Sequence, residues 1–533
     1  MDKPLQKQSF LHGAAVLAIA TAIVKLIGAF YKIPLQSIIG EAGYGYFTTA
    51  YDIYAVLLTL STAGLPVAMS RMISASQAQG NNGQIKQIYR ASLIVFLTIG
   101  IVGSGGMLIL CKQLANFMSS PNSWVAIAAL SPAVLFVCII SSFRGFFQGQ
   151  SNMTPTSVSQ VYEALCKLII GLGAAYFVMN ATQNVAYAAG AAIAGVTAGA
   201  IVSTAYLGAK YRKTTQSFGQ SVGDVKPIGA TAKELLWIAV PITVGAAGLQ
   251  IINLIDAKIV MERLVGVAGF LQAEADVLKG IYNFCQTLFN LPAAFIVPLT
   301  VSVIPSITGF LTMKNNRGAL QVEESAVRIM ALLGLPCSIG LAVVAEPILA
   351  MLGGWGSDQL AVGVPVLTIF GCGVIFNCMV LLTNAIMQAH GNVTTPLINM
   401  LLGGIVKVIV NFVLVGNPDI NIVGAPIGTL CCYITITTLN LFAMKKMMKD
   451  HTPHVLKAMF KPLVASLVMG GGAWAAMGLM GRFISSNSII AIATICVAAA
   501  VYLVMVLALK IITYSDCLLL PKGEKIAKFL RIH

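Results

Sequence analysis

Lys25, Lys167 and Lys407 each stand inside an apolar run long enough to cross a bilayer. An ionisable group at that depth costs on the order of 3 kcal/mol, so each is expected either to bind something or to neutralise an acid on another helix. Lys25 lies about fourteen residues into its run, roughly 21 Å along at 1.5 Å per residue, too deep for its ammonium to reach the interface. Ala18, Ala22, Gly28, Ala29 and Lys32 fall on or near its face at helical spacing, and a small-residue stripe carrying two cations suits a cavity or a neighbouring helix better than lipid. Lys167 has Glu163 one turn earlier, the favourable order for an i,i+4 pair, so its charge can be neutralised within its own helix. Lys407 has no acid within a turn. Together Lys25, Lys32, Lys167, Lys407 and Glu163 are the expected lining of an anion-receiving cavity.

Two arginines sit near glycine and proline. Arg71 closes the stretch Gly64-Leu-Pro66-Val-Ala-Met-Ser-Arg71, and Arg144 stands in Ser-Phe-Arg-Gly-Phe-Phe-Gln-Gly. Arg at a span end is an ordinary interface anchor, but flanking Gly and Pro permit bends, so Arg71, Arg144, Pro66 and Gly64 are gating or interface residues. Asp52 and Asp256 are the acids within or near spans, where cation-coupled transporters need carboxylates; they are the positions for ion coupling.

Other chemistries find no constellation. There is no P-loop Gly-x-x-x-x-Gly-Lys-Ser/Thr, so ATP does not drive this chain directly. The five histidines have no metal-ligand spacing, the eleven cysteines include no C-x-x-C pair, and no Ser/His/Asp or Cys/His set is evident. No cofactor, no metal and no enzymatic activity are therefore expected. A channel is disfavoured too, since no filter-like loop occurs.

The elements that position these residues follow from composition. Of 533 residues, 57% are hydrophobic and 10% charged, against about 25% charged in soluble domains, so lipid must supply much of the solvent. Continuous apolar runs of spanning length recur fourteen times, from 11–31 to 488–513; being continuous rather than alternating, they exclude transmembrane strands. The fold class is an all-α polytopic membrane protein. The net charge of +15 is spread along span flanks instead of forming one patch, which argues against nucleic acid. Placing both termini in the cytoplasm puts Arg71, Lys86, Arg90, Lys210, Arg212, Lys213, Lys314, Lys445, Lys446 and Lys449 inside. Only Lys32, Lys112, Lys258, Arg263, Lys279 and Arg482 then fall on the opposite side, as the positive-inside rule requires.

The segments Gln148–Lys167 and Gln388–Lys407 both run Gln, Asn, Thr-Pro, then Lys eleven or twelve residues on, each between a fourth and a fifth span. That correspondence predicts two six-helix lobes related by a pseudo-repeat, as in transporters with a central site. The expected plan is an N-terminal lobe over 1–208, a cytoplasmic linker over 209–234, a C-terminal lobe over 235–445, a lipid-groove pair of spans over 446–513 and a basic cytoplasmic tail over 514–533.

The run Lys25-Leu-Ile-Gly28, with Ile33-Pro34, Ile39-Gly40-Glu41, Gly43, Gly45-Tyr46 and Gly64 to Arg71, resembles the polysaccharide flippase branch of the multidrug/oligosaccharidyl-lipid/polysaccharide (MOP) superfamily. Within it the chain is most similar to the stage V sporulation protein B and MurJ-type lipid II flippase groups. Phe143-Arg144-Gly145, Gln148-Gly149 and the Glu163/Lys167 pair extend the match. The resemblance implies a cytoplasmic-membrane flippase that carries an undecaprenyl-pyrophosphate-linked saccharide, lipid II or a related precursor, from inner to outer leaflet by alternating access. It also implies that Lys25 occupies a basic cavity position, that the last two spans receive the lipid tail, and that the partners are the lipid-linked anionic saccharide, membrane lipids and cell-wall synthesis proteins, with the chain working as a monomer. Two further basic positions of such flippases read Tyr31 and Thr287 here. A cation-coupled multidrug exporter of the same superfamily and a non-transporting scaffold in envelope or spore assembly are the alternative readings.

Overall fold

The computed structural model describes residues 10–216, 218, 224–448, 452–482 and 486–511. The expected basic tail 514–533 and part of the linker 209–234 lie outside them. The described residues form helices and no strand. In chain order these are α1 (Phe10–Thr62), α2 (Leu65–Ala78), α3 (Asn82–Ile109), α4 (Cys111–Phe117), α5 (Trp124–Gly149), α6 (Thr154–Cys166), α7 (Leu172–Thr182), α8 (Val185–Gln216) and α9 (Ile228–Gly266). Then come α10 (Gln272–Thr312), α11 (Asn316–Val343), α12 (Ala345–Gly353), α13 (Ser357–Ala389), α14 (Thr394–Leu414), α15 (Gly424–Met448), α16 (Val455–Met480) and α17 (Asn487–Ala508).

The protein is an all-α polytopic membrane protein with about fourteen transmembrane passages. Among the described residues, twelve helical stretches are long and apolar enough to cross a membrane, and the first of them, Ile23–Ala78, has 56 residues. At 1.5 Å per residue it would reach about 84 Å, against a hydrocarbon core of about 30 Å, so it must double back. It does so at Gly40, whose φ of 69° and ψ of −179° interrupt α1. Only a residue without Cβ adopts that conformation cheaply. The fourteenth passage lies in α10, where residues 291–308 form an uncharged, mostly apolar run.

The chain divides into two compact units. The first runs to Val265 and also takes Phe270–Gly280; the second holds Gly266–Gly269 and everything from Ile281. In the first unit α5 is central, packed on α1, α2, α3 and α8. Glycines set how closely: a Cβ on Gly145 would come within 3.2 Å of Pro66 Cα, and one on Gly195 within 2.6 Å of Gly171 Cα. In the second unit α11 packs on α13 and α16, α14 on α15, and α16 on α17.

The pseudo-repeat has a structural counterpart at the turns. After α5, the amide of Asn152 donates to Phe147 O at 3.0 Å, Ser151 sits at φ 58°, and Asn152 Oδ1 accepts from the Thr154 amide. After α13, Asn392 donates to Met387 O at 2.9 Å, Gly391 sits at φ 82°, and Asn392 Oδ1 accepts from Thr395. A second matched pair lies where α2 meets α3 and α10 meets α11. Gly80 and Lys314 are both left-handed, and Asn81 and Asn315 each cap the next helix by accepting at 2.9 Å from the amides of Gln84 and Gly318. Capping oxygens of this kind satisfy amides that a helix start leaves orphaned.

Candidate functional site

In the first unit the chemistry gathers along α1. Lys25 is exposed and makes no hydrogen bond or ion pair with the described residues, while a Cβ on Gly28, one turn away, would meet nothing within 4 Å. That face of α1 therefore opens onto free space. Lys32, two turns on, is half-buried and lies within electrostatic reach of Asp52 and of Lys167.

Lys167 occupies a different setting from the one its sequence suggests. Its Nζ stands over three rings of α1, 4.8 Å from the centroid of Tyr31, 5.7 Å from Phe47 and 4.5 Å from Tyr51. Such faces attract an ammonium through the ring quadrupole, by about 0.5–2 kcal/mol each. The local backbone is π-helical over Lys167–Gly171, an insertion often found at functional positions. Close approach of α8 accommodates it: Gly195 faces the Gly171 backbone and Gly199 the Glu163 carbonyl, while Tyr31 donates its hydroxyl to Ala192 O at 3.2 Å.

Glu163 is not the partner of Lys167. Its carboxylate pairs with Arg144, Nη2 to Oε1 at 3.0 Å, and Arg144 also donates to Ser159 Oγ through Nε at 3.1 Å and Nη2 at 2.9 Å. The i,i+4 spacing is thus overridden by a guanidinium on another helix, whose planar fork bonds a hydroxyl and a carboxylate together. The flanking aromatics explain Arg144's direction. Phe143 and Phe146 are buried against Tyr89 and Tyr211, which leaves Arg144 facing α6.

A residue expected outside the bilayer belongs to this group. Lys279, near the start of α10, is only 3% exposed. Its Nζ donates to Thr49 Oγ1 at 2.8 Å and lies 3.9 Å from Asp52 Oδ2. One turn earlier Asp276 accepts from Ser120 Oγ at 3.1 Å and Gln272 Nε2 at 3.2 Å. The α10 start is held down by Gly280, whose missing Cβ leaves room for the Glu41 carbonyl. The positive-inside count puts Lys279 on the side opposite the cytoplasm; its three-residue spacing from Asp276 is the signal in the sequence for a buried polar start to α10.

The remaining positions are dispersed. Gly64 caps α2 against the Ala239 carbonyl, and Pro66 lies in the first turn of α2, where its missing amide costs nothing. Arg71 is exposed and lines a shallow groove with Lys233, Trp237 and Ile242. Asp256 is buried in α9, 4% exposed. In the second unit Lys407 is half-buried on α14, near Tyr433, and its carbonyl lies against Gly428. Groups of three or more His, Cys, Asp or Glu placed to hold a metal are absent among the described residues.

Within the first unit, Lys279 and Lys32 thus lie by one carboxylate, Asp52, Lys167 lies within electrostatic reach of Lys32, and Lys25 stands earlier on α1. Residues 10–310 match the polysaccharide biosynthesis protein family. The chain belongs to that family. It is 26% identical to stage V sporulation protein B of Bacillus subtilis over 522 residues, covering 97% of this chain and 98% of that protein. It is 25% identical to the lipid II flippase MurJ of the same organism over 525 residues, covering 92% and 94%. Among solved structures, a lipid II flippase MurJ in an inward closed conformation superposes with a TM-score of 0.68 at 14% identity, covering 92% of this chain and 97% of that one. An inward-facing multidrug resistance MATE family transporter of the MOP superfamily gives 0.62 at 14% identity, covering 80% and 99%. Family members of this kind are transporters and flippases rather than enzymes. This member of the family is a multi-pass membrane protein.

Proposed function

We propose that the protein moves an undecaprenyl-pyrophosphate-linked saccharide, lipid II or a related cell-wall or polysaccharide precursor, from the inner to the outer leaflet of the cytoplasmic membrane by alternating access. The observation that carries this reading is the excess of basic groups at span depth: Lys32 and Lys279 share Asp52, Lys167 lies over aromatic rings within reach of Lys32, and Lys25 faces open space. A pyrophosphate crossing the bilayer must exchange its hydration for charge-assisted hydrogen bonds, whereas its polyprenyl tail stays in lipid. Similarity to the lipid II flippase MurJ over nearly the whole chain supports the same cargo class. In this reading Lys25, Lys32, Lys167 and, in the second unit, Lys407 receive the phosphates. Arg144 and Glu163 fix the wall, and Gly64, Pro66 and Arg71 mark a bend in the gate. Both termini are cytoplasmic.

The test is reconstitution in liposomes with a fluorescent lipid-linked precursor, reading its arrival in the opposite leaflet. Transport by the native chain and loss in Lys25→Ala at unchanged protein level is the expected result. Export of organic cations with no movement of the lipid pyrophosphate would replace the reading by a cation-coupled exporter, for which Asp52 and Asp256 would be the coupling carboxylates.

A further inference from the structure

We infer that the second unit carries a separate binding site for the headgroup of an anionic phospholipid, where the start of α16 meets α11 and the end of α17. A cavity of about 980 Å³ opens there, and its polar lining is dominated by Arg328, Lys457, Lys461 and Lys510. The acid lining it, Glu324, accepts a hydrogen bond from the backbone amide of His454 at 3.3 Å and lies 2.9 Å from its Nδ1. Four cations against one engaged carboxylate make an anion site.

The rim says what kind of anion. Leu456 is 87% exposed and Phe460 65% exposed, both in the first turns of a helix that is a membrane span. Large apolar side chains bared beside a basic cavity at a span end suit a ligand that joins a phosphate to acyl chains. A free phosphate would make no use of them. The cavity's form is fixed by the helices around it: Lys461 Nζ donates to Leu509 O at 3.1 Å, Tyr502 donates to Leu332 O at 2.8 Å, and Lys510 takes a left-handed φ of 47° where α17 ends. Lys457 is exposed and, like Lys510, makes no side-chain hydrogen bond or ion pair among the described residues that substitution would break. The inference does not depend on which cargo the protein moves, since the cavity lies in the second unit, apart from the α1 lysines.

The experiment is native mass spectrometry of the full chain in detergent, with phosphatidylglycerol or phosphatidylcholine added at equal concentration. Phosphatidylglycerol is expected to remain bound to the native protein, with retention at least tenfold lower in Lys457→Glu/Lys510→Glu and unchanged in Lys445→Glu/Lys446→Glu, which alters a different span end. An inorganic phosphate arm separates headgroup from free ion: phosphate at tenfold excess should not displace the lipid. Equal retention of the two lipids, or of phosphatidylglycerol by both double variants, would overturn the site. Should Lys457→Glu/Lys510→Glu fail to fold, Lys457→Gln alone, read against the native chain, carries the same comparison.

Discussion

Arg144 Nη2 lies 3.0 Å from Glu163 Oε1, and that bond leaves Lys167, one turn after Glu163, to be held by aromatic rings instead of a carboxylate. One acid within reach of two cations has been taken by the one with the planar donor set. The energetic difference between the two cations follows. Arg144 is neutralised locally and serves the architecture, whereas Lys167 has no carboxylate partner among the described residues.

Glu163→Gln should remove the charge from this bond while keeping its shape, at a cost of about 1.5–3 kcal/mol for a charge-assisted hydrogen bond. Thermal unfolding in detergent should show a lowered midpoint. Arg144→Lys should not be silent either, because an ammonium cannot bond Ser159 and Glu163 with the same fork. An Arg144→Lys midpoint equal to the native one would remove the structural role given to the pair.

The ring cage separates two substitutions of one residue. Tyr51 Oη is buried without a hydrogen-bond partner among the described residues, so Tyr51→Phe should be neutral or slightly stabilising, since it removes an unsatisfied polar atom. Tyr51→Leu deletes a ring 4.5 Å from Lys167 Nζ and should cost about 0.5–2 kcal/mol. Comparing the two midpoints distinguishes a cation–π contact from simple filling of space.

Two glycines of the same region should behave oppositely. A Cβ on Gly195 would lie 2.5 Å from Gly171 N, a backbone atom that cannot move aside, so Gly195→Ala should destabilise by about 1–3 kcal/mol through overpacking. Gly173→Ala points into open space and should gain up to about 1 kcal/mol in helix propensity. Equal effects of the two would mean that α8 does not approach the π-helical segment as described.

Lys25 touches no partner among the described residues, so Lys25→Ala should leave the unfolding midpoint unchanged. Losing one charged contact to a phosphate, about 1.5–3 kcal/mol, corresponds to a roughly ten- to hundredfold fall in substrate affinity. Lys25→Arg should retain most of it. Binding of a lipid-linked pyrophosphate to purified protein, measured for the three chains, checks this.

Much of the plan was legible because bilayer thickness writes itself into run length: about fourteen passages, helices only, and the family all follow from apolar runs and first-half motifs. Lys25 and Lys32 were legible for the same reason, as charges where charges are costly. Partner choice was less so. Spacing assigned Glu163 to Lys167 because i,i+4 neighbours are all that one helix can display, and Arg144 comes from another helix. Lys279 reads as a flank of an apolar run on the side opposite the cytoplasm, whereas α10 already begins at Gln272 and buries it beside Thr49 and Asp52. Tyr31, Phe47 and Tyr51 read as ordinary span aromatics until α6 brings an ammonium to them. The correspondence of the two halves was visible at Thr154-Pro155 and Thr395-Pro396, whereas the matched caps begin only the short pairs Asn81-Asn82 and Asn315-Asn316, too brief a repeat to stand out without the helix starts they cap.

An ammonium held by π faces differs from one held by a carboxylate in what it can do next. An ion pair must be broken before either member can greet a newcomer, so part of the attraction for any arriving anion is cancelled beforehand. Rings carry no net charge and keep none of the ammonium's field from reaching outward. Lys167 is therefore sheltered from water with no carboxylate to surrender, and an anion entering from the α1 side would meet a basic group with no ion pair to dissolve first.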